Sequence, residues 1–159
     1  MKYVLLILAF VAIVVLLRLS IIWFGPSEPG RSGLADTPAP ALQPCPGTPN
    51  CYRVNVQLEG NADAVIEQIS KSVAAEKGKV VDRTDSYLQA TFQSRLLAFT
   101  DDFECLVLTS QDDRNSTSLH GEDKLQLQCR SASRIGHSDF GANKKRVNAI
   151  LNQAGIQAA

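Results

Sequence analysis

Common signatures of catalysis and ligand binding are missing from this sequence. It has no P-loop, no G-x-G-x-x-G and no H-E-x-x-H motif, so the nucleotide and zinc-protease sites that those patterns build are not predicted. Neither charge is in excess, because 16 basic residues balance 16 acidic ones. A nucleic-acid binder carries a broad basic surplus, and we therefore predict no nucleic-acid partner. Histidine occurs only twice, and nothing in the sequence predicts a cofactor.

Proline is absent outside residues 26 to 49, a segment that holds all seven prolines of the chain. Such a segment is stiff and connects parts rather than packing into a core. Before it, residues 3 to 17 are an uninterrupted apolar run that resumes after Ser20 and continues to Phe24. At ~1.5 Å per helical residue this stretch crosses the ~30 Å core of a bilayer. We predict a transmembrane anchor over 1–25, a Pro-rich tether over 26–50 and a soluble domain over 51–159.

The apolar start is predicted to be an uncleaved anchor rather than a cleaved signal peptide. A cleaved signal needs small residues close after its apolar region, whereas this region ends in the bulky segment LSIIWFGP. Lys2 and the terminal amine favour an N-in orientation under the positive-inside rule. We therefore expect a single-pass membrane protein whose C-terminal domain lies in the periplasm or otherwise outside the cytoplasm.

The four cysteines are predicted to form two disulfides, as is usual outside the cytoplasm. Cys45 and Cys51 enclose a short loop that two prolines and a glycine pre-bend. Cys105 and Cys129 come within about one residue of register if strands at 103 to 109 and 124 to 130 form a hairpin, and two buried thiols are the alternative. A metal site fits poorly because zinc knuckles need two closely spaced cysteine pairs.

Residues 52 to 58 alternate apolar and polar side chains, with Arg53 on the polar side, which indicates a half-exposed strand. An amphipathic helix follows, capped by Asn61. Further strands without helices between them are predicted at 79 to 83, 87 to 96, 103 to 109 and 124 to 130.

A second helix closes the chain, and either Ser138 or Asn143 is expected to cap its start. Its predicted apolar stripe consists of Phe140, Val147, Ile150, Leu151 and Ala154. Adjacent strands bracketed by helices predict an α+β fold, in which an antiparallel sheet of about five strands carries two helices on one face. A helix-grip fold and a saddle-shaped sheet both fit this order.

Residues 130 to 146 are the densest polar segment, and we interpret 130 to 143 as a turn between the last strand and the last helix. Arginine side chains and backbone N–H groups in such a turn bind anions such as phosphate or carboxylate. The alternative is that the arginines pair with the acidic residues 101 to 104, and that the serines only cap the turn. The polar side chains in question are Arg130, Ser131, Ser133, Arg134 and Ser138.

The residue types of a hydrolytic triad also occur in this segment, as Ser131, Ser133, His137 and Asp139. A base must lie within hydrogen-bond reach of its nucleophile and be oriented by a third group. Nine consecutive residues of one turn are poorly placed to do this, so no catalytic residue is predicted.

Three segments resemble the signature of the domain of unknown function 1499 family. They are CPGTPNC at 45 to 51, YL at 87 followed by FQSRL and FTDD up to 102, and RSASRIGHSDFGANKKR at 130 to 146. The likeness covers residues 45 to about 153 and implies an exported or membrane-attached domain without an established activity. It departs from the family pattern at Ala98 and His137. Residues at the family's motif positions are Arg95, Asp101, Asp102, Arg130, Arg134, Ser138, Asp139 and Asn143.

Together these observations predict a membrane-anchored binding or scaffold module of the cell envelope. Its expected partners are the membrane, through the first helix, and an envelope protein, a lipid head group or a small anion. The candidate anion- or partner-binding residues are Arg95, Arg130, Ser131, Arg134, Ser138, Asp139 and Asn143, and Asp101 and Asp102 are candidate ion-pair partners. The alternative is an envelope enzyme of hydrolase type that uses Arg95, Arg130, Arg134 and Asp139.

Overall fold

A computed structural model of the chain describes residues 2 to 24, 41 to 94, 99 to 109 and 123 to 157, without the side chains of residues 21 to 24 and 123. Arg95 and residues 26 to 40 of the predicted tether lie outside the described residues. In chain order the elements are α1 (Lys2–Phe24), β1 (Cys51–Gly60), α2 (Ala62–Ala75), β2 (Lys79–Arg83), β3 (Tyr87–Gln93), β4 (Thr100–Thr109), β5 (Asp123–Ser133) and α3 (Ala142–Gln153).

The five strands form one sheet in the order β1-β5-β4-β3-β2, and each neighbouring pair is antiparallel. The strand that comes first in the chain, β1, therefore lies beside the strand that comes last, β5. Helices α2 and α3 pack on the same face of the sheet. The α+β architecture predicted from the order of the patterns is confirmed.

The core lies between this face and the two helices. Because side chains alternate across a strand, every second residue of β3, β4 and β5 points into it. Its fully buried side chains include Ile66, Ile69, Leu88, Phe103, Leu127, Ile150 and Leu151.

Both predicted disulfides are present. Cys45 is bonded to Cys51, and Cys105 is bonded to Cys129, which it faces directly in the register of β4 and β5. The central cystine is fully buried in the core, whereas the other closes the loop just before β1.

Helix α1 is long and apolar enough to cross a membrane over Lys2–Ser20, and none of that stretch is buried against the rest of the described chain. Its composition is compatible with a membrane anchor and with a signal sequence alike.

Three predictions about the strand and helix ends were wrong. The strand from 87 ends at Gln93 rather than at 96. Helix α3 begins only at Ala142, so Phe140 does not join its apolar stripe and is 95% exposed. Neither Ser138 nor Asn143 caps the helix, because Asp139 supplies the oxygen atoms that its first N–H groups need.

The opposite face of the sheet, here called the outer face, is partly covered by residues 41 to 50. Leu42 is 1% exposed and packs with Tyr87 and Leu106 in a second apolar cluster. Its backbone N–H donates to Gln128 Oε1 at 3.2 Å. The end of the proline-containing segment thus packs against the sheet before β1 begins.

Candidate functional site

The predicted site segment is divided between the two faces of the sheet. Strand β5 continues to Ser133, because it pairs with β1 as far as Ala132 and with β4 as far as Ser133. Successive side chains of a strand point to opposite faces. Arg130 therefore lies on the outer face, whereas Ser131 lies on the helix face under α3.

On the helix face, four polar side chains form one buried network. Ser131 Oγ lies 2.6 Å from Asn143 Oδ1, and both residues have no exposed surface. Arg146 donates from Nη1 to Asn143 Oδ1 at 2.6 Å and from Nη2 to Asp101 Oδ2 at 2.7 Å. The network thus joins α3 to β4 and β5, and its polar atoms are used within the fold.

Asn143 also connects this network to the start of the domain. Its Nδ2 donates to the backbone oxygen of Asn50 at 2.9 Å and to Ser133 Oγ at 3.0 Å. Asn50 in turn donates from its side chain to the backbone oxygen of Gly136. Asn143 therefore holds together the residue before β1, the end of β5 and the first turn of α3.

Asp139 occupies the N-terminus of α3. Its two carboxylate oxygens accept hydrogen bonds from the backbone N–H of Gly141 at 2.9 Å and of Asn143 at 2.7 Å. Burial alone would raise the pKa of Asp139, but these N–H donors outweigh it and hold the pKa below its usual value. The anion that the helix N-terminus attracts is thus supplied by the chain itself, while the neighbouring Ser138 is exposed.

On the outer face, one row of polar residues crosses all five strands. The strand register places Arg53 opposite Arg130, Arg130 opposite Glu104, Glu104 opposite Gln89 and Gln89 opposite Asp82. We call these five residues the polar row. Its basic end lies on β1 and β5, and its acidic end lies at the β2 edge.

Glu104 is the buried centre of the polar row. It has no exposed surface, and its carboxylate accepts from Tyr87 Oη at 2.8 Å and from Arg130 Nη1 at 3.3 Å. Burial raises the pKa of Glu104 above its ordinary value, and the Tyr87 hydroxyl and the Arg130 charge offset this only in part. The negative charge of Glu104 is therefore a costly counterion for the arginines beside it.

Arg134 extends the basic end of the row. Its Nε and Nη2 donate to the two oxygens of Asp102 at 2.9 and 2.7 Å, which is a two-point contact between guanidinium and carboxylate. Asp102 points to the outer face, two residues before Glu104 on β4. Arg134 is thus paired with the acidic stretch 101 to 104.

The two arginines that face each other across β1 and β5 are incompletely paired. Arg53 donates from Nη2 to Gln128 Oε1 at 3.0 Å. The Nε atoms of Arg53 and Arg130 are both buried, and neither has a hydrogen-bond partner among the residues that the structure describes. Buried polar atoms in folded proteins are usually paired, so these two nitrogens are donors to which the acceptor atoms of a ligand can bind.

Sequence reasoning missed the residues that give the outer face its character. The alternation of β1 puts Arg53 on the polar side of its strand, as predicted. Nothing local indicates that it faces Arg130, which lies 77 residues later in the chain. Glu104 was seen only as part of an acidic stretch, and Arg146 only as one of several basic residues. The alternation of β5 would have separated Arg130 from Ser131, had the strand been predicted to continue to Ser133.

The triad-like residues do not form a nucleophile and its base. Ser131 is fully buried beneath α3, whereas His137 is exposed on the loop that follows β5. Asp139 is engaged with the first turn of α3. The geometry of these described residues gives no support to a hydrolytic centre.

The chain was compared with known proteins. The family model described as a protein of unknown function (DUF1499) matches residues 41 to 153, and the chain belongs to that family. No curated protein matches it. The match begins at residue 41, next to Leu42, which packs on the outer face.

Proposed function

We propose that this protein is a membrane-anchored, extracytoplasmic binding module that captures an anionic group at the basic end of the polar row. The anion is a carboxylate or phosphate carried by a small molecule, a lipid head group or an envelope protein. The observation that carries the proposal is the pair of buried Nε atoms on Arg53 and Arg130, which have no hydrogen-bond partner within the described part of the chain.

The placement outside the cytoplasm is supported by two features. Helix α1 has the length and composition of a membrane anchor. The domain holds two disulfides, which persist in oxidising compartments and are rare in the cytoplasm. Together they favour a domain that is held at the membrane and folds on the oxidising side.

The charges at the basic end favour an anion. Three guanidinium groups, on Arg53, Arg130 and Arg134, face two carboxylates, on Asp102 and Glu104. Asp102 is already held by Arg134 through two hydrogen bonds. Glu104 shares its oxygens between Arg130 and a tyrosine hydroxyl, and its pKa is raised by burial. These five described residues therefore carry a net positive charge, which lies at Arg53 and Arg130, and the Nε atoms of both arginines have no hydrogen-bond partner among the residues that the structure describes.

The anion is expected to bind from the β1 side. Arg53 is only partly buried, whereas Arg130 is 8% exposed. A carboxylate or phosphate that approaches Arg53 can accept from its guanidinium and reach toward Arg130 behind it, which is the geometry that planar arginine donors favour. Candidate residues in contact with the ligand are therefore Arg53, Arg130 and Arg134, while Ser131, Asp139 and Asn143 hold the frame.

The test is anion-dependent stability of the full chain in detergent. Urea unfolding is followed by circular dichroism in sodium phosphate, sodium citrate and sodium chloride at equal ionic strength. A specific ligand at a hundredfold excess over its Kd adds about 2.7 kcal/mol to the free energy of unfolding, beyond any general salt effect. We expect this increment in phosphate, in citrate or in both, but not in chloride.

Two arginine substitutions make the test specific. Arg53→Gln should remove the increment, because it deletes one of the unpaired donors. Arg83→Gln is the matched control, since Arg83 is paired with Glu67 and Asp63 of α2 on the helix face, at the sheet edge opposite β1 and Arg53. Equal responses of the two variants to every anion, or no increment in the unsubstituted protein, would rule out the proposed site.

A further inference from the structure

The loop between β5 and α3 presents an apolar tip to solvent. Phe140 is 95% exposed, more than any other large hydrophobic side chain among the described residues, and Ile135 on the same loop is 42% exposed. An exposed phenylalanine forfeits the burial that normally stabilises a fold. Among the described residues, none covers this tip.

The backbone holds Phe140 outward at a conformational cost. Its φ is 53°, in the left-handed region that bulky residues disfavour and that glycine or asparagine adopts more easily. The loop is nevertheless fixed, because the carboxylate of Asp139 accepts from the N–H of Gly141 and of Asn143. Strain that the surrounding structure maintains is typical of functional positions. The aromatic ring is thus presented by a rigid frame rather than by a loose end.

The tip is basic as well as apolar. Lys144 and Lys145 are exposed on the first turn of α3, and Lys144 Nζ lies 5.7 Å from the centre of the Tyr52 ring. The one acid of this loop, Asp139, directs its charge toward the helix N-terminus. An aromatic side chain flanked by lysines is complementary to the boundary between anionic head groups and acyl chains of a bilayer.

We propose that the tip formed by Ile135, Phe140, Lys144 and Lys145 docks on the lipid surface of the membrane that holds α1. This inference rests on the membrane anchoring proposed above and is independent of the anion site at Arg53. The anchor keeps the domain near the bilayer, so the tip binds at a high effective concentration, and a weak contact suffices. Docking would fix the orientation of the domain on the membrane.

The experiment uses tryptophan fluorescence of the full chain in vesicles of phosphatidylcholine and phosphatidylglycerol. The sequence has one tryptophan, Trp23 in α1, so Trp23→Phe gives a silent background. In that background, the tryptophan of Phe140→Trp should emit at a shorter wavelength than a tryptophan that is exposed to aqueous buffer. Its emission should be mostly quenched when the lipids carry brominated acyl chains.

A second tryptophan position serves as the control. Asp85 is exposed in the turn before β3. The first residue of β3 is level with Leu106 and Gln128, five residues before the end of β5 that leads to the tip, so Asp85 lies far from the tip. Asp85→Trp should keep a solvent-like emission and should not be quenched. Adding Lys144→Gln and Lys145→Gln to the Phe140→Trp chain should reduce the quenching in the anionic vesicles.

The outcomes separate this inference from the anchoring itself. Sedimentation of the vesicles after an alkaline wash reports whether α1 is inserted. If the chain sediments with the vesicles and the tryptophan at 140 is no more quenched than the one at 85, the docking proposal is overturned and a protein partner is the better explanation of the tip. If the chain does not sediment, the anchoring fails, and the docking proposal fails with it. Phe140→Gly tests whether the ring contributes to folding. Glycine adopts the left-handed backbone conformation without strain, so this variant should have a melting temperature no lower than that of the unsubstituted chain.

Discussion

Replacing Arg146 with methionine is expected to destabilise the domain more than any other change of a single lysine or arginine on α3. Its guanidinium contacts Asp101 at 2.7 Å, Asn143 at 2.6 Å and Ser131 at 3.1 Å. The same group lies 4.6 Å from the centre of the Phe92 ring. One side chain thus joins α3 to three strands of the sheet.

The size of the effect follows from what the substitution leaves behind. The side chains of Arg146 and Asp101 are 15% and 12% exposed, so the pair is largely removed from water. Methionine keeps most of the apolar stem but leaves the Asp101 carboxylate without its cation, and breaking a buried pair in this way costs about 3–5 kcal/mol. Some water reaches both groups, which favours the lower end. We expect a loss of about 3 kcal/mol, to which the contact with Phe92 contributes about 0.5–1 kcal/mol.

The assay is urea unfolding of the full chain in detergent, followed by circular dichroism. Trp23 lies in α1, so tryptophan emission would report the anchor rather than this domain. Lys145→Met is the matched control, because Lys145 is exposed and its loss should change the free energy of unfolding by less than about 0.5 kcal/mol. Asp101→Asn combined with Arg146→Met should recover part of the loss, with a coupling energy of about 1–3 kcal/mol. If Arg146→Met and Lys145→Met were equally mild, the buried network would not be the connection that we describe.

Three further predictions concern groups elsewhere in the domain. Burial raises the pKa of Glu104, so the folded state holds this proton more tightly than the unfolded state. The stability of the unsubstituted chain relative to Glu104→Gln should therefore rise as the pH falls from about 7 toward the ordinary glutamate pKa of about 4.3. A difference in stability that is independent of pH would contradict this. Replacing Cys105 and Cys129 by alanine opens a cross-link with a sequence separation of 24. Loop-closure entropy alone predicts that the free energy of unfolding in urea falls by about 3–4 kcal/mol. A fall below about 1 kcal/mol would argue against a stabilising role of this cross-link. Asp139→Ala should cost about 1 kcal/mol, whereas Asp139→Asn keeps a capping oxygen and should cost less, and equal melting temperatures of the two variants would speak against the cap.

Local patterns sufficed for the elements and for both disulfides. The alternation of residues 52 to 58 and the helical spacing after Asn61 each involve neighbours in the chain, and the side-chain oxygen of Asn61 does accept from the N–H of Ala64. Cys105 and Cys129 could be paired because a hairpin fixes its register from the loop outward, and the structure places them directly opposite each other.

The candidate site was predicted less well, since its geometry depends on contacts between distant parts of the chain. The segment after Arg130 looks like a turn by composition, yet pairing on both edges keeps Ser131 and Ser133 in strand β5. That pairing sends alternate residues to opposite faces, which no count of polar residues reveals. Phe140 fits the helical spacing of the apolar residues of α3. The helix begins only at Ala142, however, where Asp139 caps its first turn, and the Phe140 ring is left exposed to solvent.

The sequence by itself determined that an apolar helix and a proline-rich segment precede an α+β domain with two cystines, because apolar periodicity, proline content and cysteine spacing act over a few residues. Only the tertiary structure decided that β1 lies beside β5. That contact sets Arg53 opposite Arg130, and the packing of α3 on the sheet brings Arg146 to Asp101. The physical reason is burial: the sheet covers its apolar face with both helices, and the alternation along each strand then assigns every polar side chain to one face or the other.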